Sequence, residues 1–352
     1  MMRSDLLERL GIAHPVILSP MAGGPGTPEL AAAVSNAGGL GSLGLAYSSA
    51  EQSLELIART RALTDKPFAV NLFAAGPAPE SKRDPAPMLA ILAEIHAELE
   101  LPPPTLPHPP ADPFPAQLAA VLEARPAVFS FTFGIPDGAA LRELRRHGIA
   151  ILGTATTVEE GRLLAEAGVD GIVAQGAEAG AHRGTFAAPF EAAMVPLLEL
   201  VRGIRGAVSC PVVASGGLMD GRDIARALRL GAAAAQLGTA FLASPESGAA
   251  PAYKDAILAA RRDATIITRA FSGRPARGLL NEFTARLAGR EDAILPYPLQ
   301  NALTRAMRGG AAQRGESGFL SLWAGQGVAR ARAMPAAALV RALLAEAAAT
   351  VT

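Results

Sequence analysis

Eight short runs in the first 241 residues are apolar almost throughout. They are PVILSPMAGG (15–24), LGSLGLAY (40–47), KPFAVNLF (66–73), PAVFSFTFG (126–134), GIAILGTA (148–155), GVDGIVAQG (168–176), CPVVASGG (210–217) and GAAAAQLGTAF (231–241). Such runs suit strands buried on both faces, as in a parallel sheet covered by helices. Between them the chain shows helical spacing, in TPELAAAVSNAGG, in AEQSLELIARTRAL and near 137–147, 157–167, 190–204 and 220–230. Thr27 is placed as an N-cap and Gly38 as a C-cap. Gly148, Gly168 and Gly231 each stand where a helix would swing into the next strand. Alternation of this kind predicts an α/β fold, a (β/α)8 TIM barrel over residues 10–243. The rival, a doubly wound sheet, would announce itself with G-x-G-x-x-G after the first strand. MAGGPGTPE does not fit that fingerprint, and no acidic residue follows a second strand.

Two regions break the rhythm. Residues 76–125 include LPPPTLPHPPADPFP (101–115), too proline-rich for the interior of a helix or sheet. The expectation is an excursion over the surface, a linker or flap. Residues 244–352 read as mostly helical, with loops at 272–278, 295–301 and 322–327, and are expected to cover the barrel mouth.

Composition narrows the function classes. The 352 residues are 50% hydrophobic and 18% charged, with formal net charge +0. Such a chain buries a large core and carries no electrostatic footprint for nucleic acid or an anionic membrane. Cys210 is the single cysteine, so neither a disulfide framework nor a thiolate metal cluster can form, and a reducing, cytoplasmic setting is expected. The N-terminus lacks the apolar core of a signal peptide, and no window of ~18 residues is apolar enough to span a bilayer.

In a barrel the chemistry sits at the C-terminal ends of the strands. Ser215-Gly216-Gly217 and Gln236-Leu237-Gly238-Thr239 end the seventh and eighth, where small residues let backbone N–H groups approach a phosphate. Asp220 opens a helix whose N-terminus is expected to face the same anion. Asn71 and Gln175 are amides at the ends of apolar strands, suited to a heterocycle with alternating donors and acceptors, or else to capping a turn. Met21-Ala22-Gly23 leaves room for a flat ring. Phosphate site, amides and small-residue wall together suggest flavin mononucleotide.

Of the five histidines, His14, His96, His108 and His147 have structural explanations: a proline neighbour, a surface helix, the proline-rich run and a helix C-terminus. His182, in the small-residue loop AQGAEAGAHRG (174–184), does not. It reads as a base or hydrogen-bond donor beside the ring, with a pKa near neutrality. Arg183 is a candidate to hold Glu178, to orient an anionic substrate, or to form a surface ion pair. No H-x-x-x-H, H-E-x-x-H or G-x-S-x-G is present, so no metal site is expected.

Several of these stretches, with GIVAQGAEAGAHRG, PVVASGGLMDGRD, AQLGTAFLASPES, SGRPARGL, YPLQNALTR and LWAGQG, occur in an order that resembles class I nitronate monooxygenases, formerly 2-nitropropane dioxygenases. The resemblance runs from about Leu10 to the tail. It implies a flavin mononucleotide barrel that oxidises alkyl nitronates such as propionate 3-nitronate with O2, releasing nitrite and a carbonyl product. It further implies that Asn71, Gln175, Gly180, Gly217 and Gln236 to Thr239 contact the flavin, that Met21 to Gly23 lie beside its ring, and that His182 is the active-site histidine. Thr132, Tyr297, Asn301 and Arg305 fall at substrate positions. Three departures stand out. Ala181 replaces a glycine of the family's E-A-G-G-H-R-G, and is strained there if that position has positive φ. Thr132 stands where relatives can carry a histidine. Asn301 and Arg305 stand where relatives can place a tyrosine and a lysine. The alternatives are nicotinamide-dependent flavin reductases of the same barrel type, acting on enoyl thioesters or quinones, and a non-catalytic flavin- or phosphate-binding barrel.

Overall fold

The structure, a computed structural model, describes residues 5–76, 82–107 and 112–350. Strands β1 (Val16–Leu18), β2 (Gly41–Gly44), β3 (Phe68–Phe73), β4 (Val128–Thr132), β5 (Ala150–Ala155) and β6 (Gly171–Gln175) run in chain order. The short β7 (Ala181–His182) follows, then β8 (Val212–Ser215), β9 (Ala234–Leu237), β10 (Thr265–Thr268) and β11 (Ala276–Leu279). Eight strands pair in parallel in the order β1-β9-β8-β6-β5-β4-β3-β2, and an Ile17–Leu40 bridge brings the two ends together in a nearly closed α/β barrel. The expected TIM-barrel class is thereby met. No helix among the described residues is long and apolar enough to cross a membrane.

Strand period two sorts each strand into an outward and an inward set. Val70, Leu72, Phe129, Phe131 and Ile151 face outward into the core shared with the helices. Inward positions change character along the axis. At the N-terminal end Ile17, Ala69, Val128, Leu152, Val173, Val213 and Ala234 pack on Leu6, Leu7 and Leu10 of the helix Asp5–Leu10. That helix plugs the barrel bottom. Two residues further along the same strands come Ser19, Asn71, Ser130, Thr154, Gln175, Ser215 and Gln236. Polarity thus collects at one end only, and the site is there.

Helices Pro28–Asn36, Ala50–Leu63, Gly138–Arg146, Val158–Glu166 and Gly221–Arg229 stand at or close to the expected positions, while the one expected near 190–204 begins only at Leu197 and runs to Ala207. Thr27 caps the first, its hydroxyl accepting from Leu30 N at 3.0 Å, and Gly38 follows it with φ +85°. The segment 76–125 departs from the expected surface excursion. Helix Phe114–Ala124 packs on Ala50–Leu63 and β3. Helix Ala86–Glu98 buries Met88, Ile91, Leu92 and Ile95 in a second core with Leu295, Leu303 and Met307 of the tail. His96, read as a surface residue, is 3% exposed, its Nδ1 2.6 Å from Pro102 O. His108 lies outside the described residues. The tail also does two different things. Residues up to the loop 322–327 join the second core and the site, whereas helix Ala336–Ala349 returns to pack on Gly221–Arg229 and Pro28–Asn36 in the outer ring.

Candidate active site

One cavity of ≈600 Å³ occupies the polar end of the barrel. Its volume lies in the range of small-molecule and cofactor sites. Met21, Ala22, Gly23, Asn71, Thr132, Gln175, Gly180, His182, Ser215, Gly216, Gly217, Gln236, Leu237, Gly238, Thr239, Asn301 and Arg305 all line it. Two candidates do not. Tyr297 stands behind the wall, its ring 6.3 Å from that of His182. Arg183 lies under the loop and is 1% exposed.

At one end of the cavity the chain presents an anion cradle. The N–H groups of Gly216 and Gly217 find no protein acceptor among the described residues. Gly217 has φ +68°, and a Cβ there would stand 2.9 Å from Glu178 Cβ, so only glycine brings this backbone to the cavity. The neighbouring helix N-terminus does not contribute as expected. Asp220 accepts from Asp223 N, Asp223 from Met219 N, and Glu346 from Gly221 N, so acidic side chains already occupy it. The tail closes this end: Gly325 N donates to Thr239 Oγ1 at 2.9 Å and Arg330 Nη2 to Gly217 O at 3.1 Å.

Along the middle, polar side chains pair across adjacent strands. Asn71 Nδ2 donates to Ser130 Oγ at 2.9 Å, and Gln236 Nε2 to Ser215 Oγ at 3.4 Å. Gln175 has a further task. Its Nε2 donates to His182 O at 3.0 Å and its Oε1 accepts from Gly184 N at 2.8 Å, which fixes the loop that carries the imidazole. Arg183 completes that fixation, donating to Gly176 O, Gln175 O and Ala193 O at 2.6, 2.9 and 2.8 Å. It neither holds Glu178 nor forms a surface ion pair. Glu178 instead caps the helix Leu197–Ala207 through Leu197 N.

β7 is the edge of a small antiparallel sheet with β11 and β10, Ala181 opposite Arg277 and His182 opposite Ala276. Ala181 adopts φ +62°, so the strain foreseen for a non-glycine residue there is present. The His182 ring sits among Trp323 (5.5 Å between centroids), Phe133 (5.9 Å) and Phe73 (6.4 Å). Its Nε2 lies 2.8 Å from Ser272 Oγ, which also accepts from Arg274 N. Burial, then the guanidinium groups of Arg274 and Arg308, push the imidazole down to about 3. That lies below the near-neutral value expected from the sequence and favours the uncharged imidazole.

The far end of the cavity is cationic. Arg308 is partly buried, and desolvation lowers it to about 10. Its Nη2 donates to Asn301 O at 2.7 Å and Asn301 Oδ1 at 3.0 Å, its Nε to Thr304 O at 3.4 Å, and no carboxylate pairs with it among the described residues. Tyr47 lines the same end with a buried hydroxyl directed toward Tyr297, and burial raises its pKa. Tyr47, Phe73, Phe133, Arg308 and Trp323 were not singled out from the sequence. Tyr47 and Phe73 were within reach, since both end apolar runs; Arg308 lies three residues past Arg305, on the same helical face.

Known proteins share this architecture. The family model described as nitronate monooxygenase matches residues 3–346. A nitronate monooxygenase of Pseudomonas aeruginosa is 46% identical over 96% of this chain and 97% of its own. The crystal structure of a nitroalkane oxidase from Streptomyces ansochromogenes superposes with a TM-score of 0.92 at 43% identity, covering 99% of both chains. FabK from Thermotoga maritima is more distant, with a TM-score of 0.78 at 30% identity over 100% of this chain and 98% of its own. Barrel, cavity and whole-chain similarity agree: the chain belongs to the nitronate monooxygenase family of oxidoreductases.

Proposed function

We propose that this enzyme holds flavin mononucleotide in the cavity and oxidises alkyl nitronates of the propionate 3-nitronate type with O2, giving a carbonyl product and nitrite. The observation that carries the reading is the layout of this cavity: free backbone donors at one end, acid-free cations at the other, and an uncharged imidazole between. The cradle fits one phosphate, and the glycines leave no side chain in its way. Ser215, Gly216, Gly217, Gly238 and Thr239 would hold that phosphate, with Asn71, Gln175 and Gln236 along the ring and Met21 to Gly23 against it. When bound, the flavin supplies the electron acceptor for the substrate and passes electrons to dioxygen.

The chain's own residues bind and orient. Arg305 and Arg308 attract an anion, and Asn301 and Tyr47 offer it hydrogen bonds. His182, uncharged, is a hydrogen-bonding partner for a nitronate oxygen. As a base of pKa about 3 it is poorly matched to removing a proton from a neutral nitroalkane at pH 7. The site therefore suits a substrate that arrives already ionised. Phe73, Phe133 and Trp323 exclude water from the reacting end.

The test is the visible spectrum of the anaerobic flavoprotein with propionate 3-nitronate in one cuvette and NADH or NADPH in another. A flavin change with the nitronate and none with the nicotinamides is expected. Reduction by a nicotinamide alone would overturn the reading in favour of a flavin reductase.

A further inference from the structure

A second pocket, of ≈450 Å³, opens to solvent beside the first. Arg183, Arg269 and Arg274 line it together with Phe133, Phe186 and Phe190, and no acidic residue does. None of the three guanidiniums is in an ion pair among the described residues. The nearby acids are otherwise engaged: Glu160 accepts from Thr185, Phe186 and Ala187 beneath the loop, and Glu178 caps a helix. Arg183 Nε is buried without a partner. Phe133 lines both pockets. Its ring meets Phe73 at 4.5 Å and His182 at 5.9 Å on the inner side, and carries the Arg274 guanidinium 3.7 Å from its centre. Its backbone is held at φ +76°, an unfavourable region for a bulky residue and of the kind that clusters at functional sites.

We propose that the outer pocket is an antechamber that binds the organic anion before it reaches His182, and that Phe133 is the partition between the two. The proposal rests on the nitronate reading and adds a second binding site to it. Half-exposed Phe186 and Phe190 offer apolar contact for a short alkyl chain, and the arginines offer charge. Arg269 is exposed, so its field acts on the approaching ligand rather than on the reacting atoms. Removing one unit charge at ~7 Å from the path in a water-like medium corresponds to about a threefold change in encounter.

The experiment measures kcat and kcat/KM of the flavin-loaded enzyme with propionate 3-nitronate from low to high salt, for wild type, Arg269→Gln and Phe133→Ala. Arg269→Gln is expected to lose about threefold in kcat/KM at low salt, to converge with wild type at high salt, and to show the loss in KM rather than kcat. Phe133→Ala is expected to raise kcat/KM for a long-chain nitronate relative to ethyl nitronate, because it merges the two pockets. Arg269→Gln with wild-type kcat/KM at all salt concentrations removes the anion site. Phe133→Ala with an unchanged chain-length ratio removes the partition. Wild type inert toward every nitronate overturns the functional reading, and this one with it.

Discussion

Replacing Arg308 with Gln should separate two nitronates that differ by one carboxylate. Arg308 donates through Nη2 and Nε to Asn301 and Thr304, which leaves Nη1 without an acceptor among the described residues. A partly desolvated guanidinium without a counter-charge is costly, and a ligand carboxylate would relieve that cost. At ~4 Å and an effective dielectric constant near 20 the bare attraction is about 4 kcal/mol. Truncating one member of a buried charged pair costs about 2–5 kcal/mol. A loss of about 3 kcal/mol is on the order of 100-fold in kcat/KM. That loss is expected with propionate 3-nitronate. Propyl-1-nitronate has nearly the same length and no carboxylate, and should change no more than a few-fold. Arg308→Lys should fall between, keeping charge but not the planar fork. Equal losses on both substrates would mean that Arg308 only shapes the helix through Asn301. No loss on either would remove it from the substrate site.

Three further outcomes follow from the geometry. Ala181→Gly relieves about 1–2 kcal/mol of left-handed strain and returns about 0.4–1 kcal/mol of unfolded-state entropy, so a thermal melt should rise by a degree or two; a fall would show that β7 is not strained. His182→Asn should lower turnover with propionate 3-nitronate while flavin absorbance per protein stays at the wild-type level, and unchanged turnover would take His182 out of the mechanism. Acid should destabilise the fold. The His182 pKa is depressed to about 3, so between pH ~6.5 and 3 the unfolded chain binds the extra proton, and stability falls by up to about 1.4 kcal/mol per pH unit. Glu160, also held below its usual range despite its burial, adds to the loss as pH drops below ~4.3, because its ionised form accepts from Thr156, Phe186 and Ala187. Urea unfolding at pH 7 and pH 4.5 reads this, and a His182→Asn slope as steep as wild type would refute the assignment.

Barrel and cavity end were legible in the sequence because both rest on local pattern. Uniform apolarity marks strands covered on both faces, and a polar residue at the last inward position marks the open end; Asn71, Gln175, Ser215 and Gln236 were found that way. What stayed hidden depends on partners far away in the chain. Arg183 looked like a surface or substrate cation because nothing local shows that three carbonyls, one of them Ala193 O, converge on it. The Gly221–Arg229 N-terminus looked free because Glu346, which takes Gly221 N, lies 125 residues further on. Residues 76–125 looked like a surface excursion because the apolar faces of their helices find partners only in the tail and the barrel wall.

The same long-range assembly decides the protonation state of His182. Its place in a small-residue loop suggested an imidazole titrating near neutrality, but Arg274 comes from the tail loop that orders Ser272, and Arg308 from a tail helix. Each adds positive potential at the imidazole. Cations that favour an anionic substrate therefore disfavour a protonated histidine, and one pocket cannot maximise both anion affinity and general-base strength at pH 7. An anion at the far end offsets Arg308, which is the smallest of the three influences that hold the His182 pKa down. Arg308→Gln should imitate part of that effect without ligand. Titration of the imidazole by NMR should show a pKa above the wild-type value, and an unshifted titration would mean that burial and Arg274 set it without Arg308.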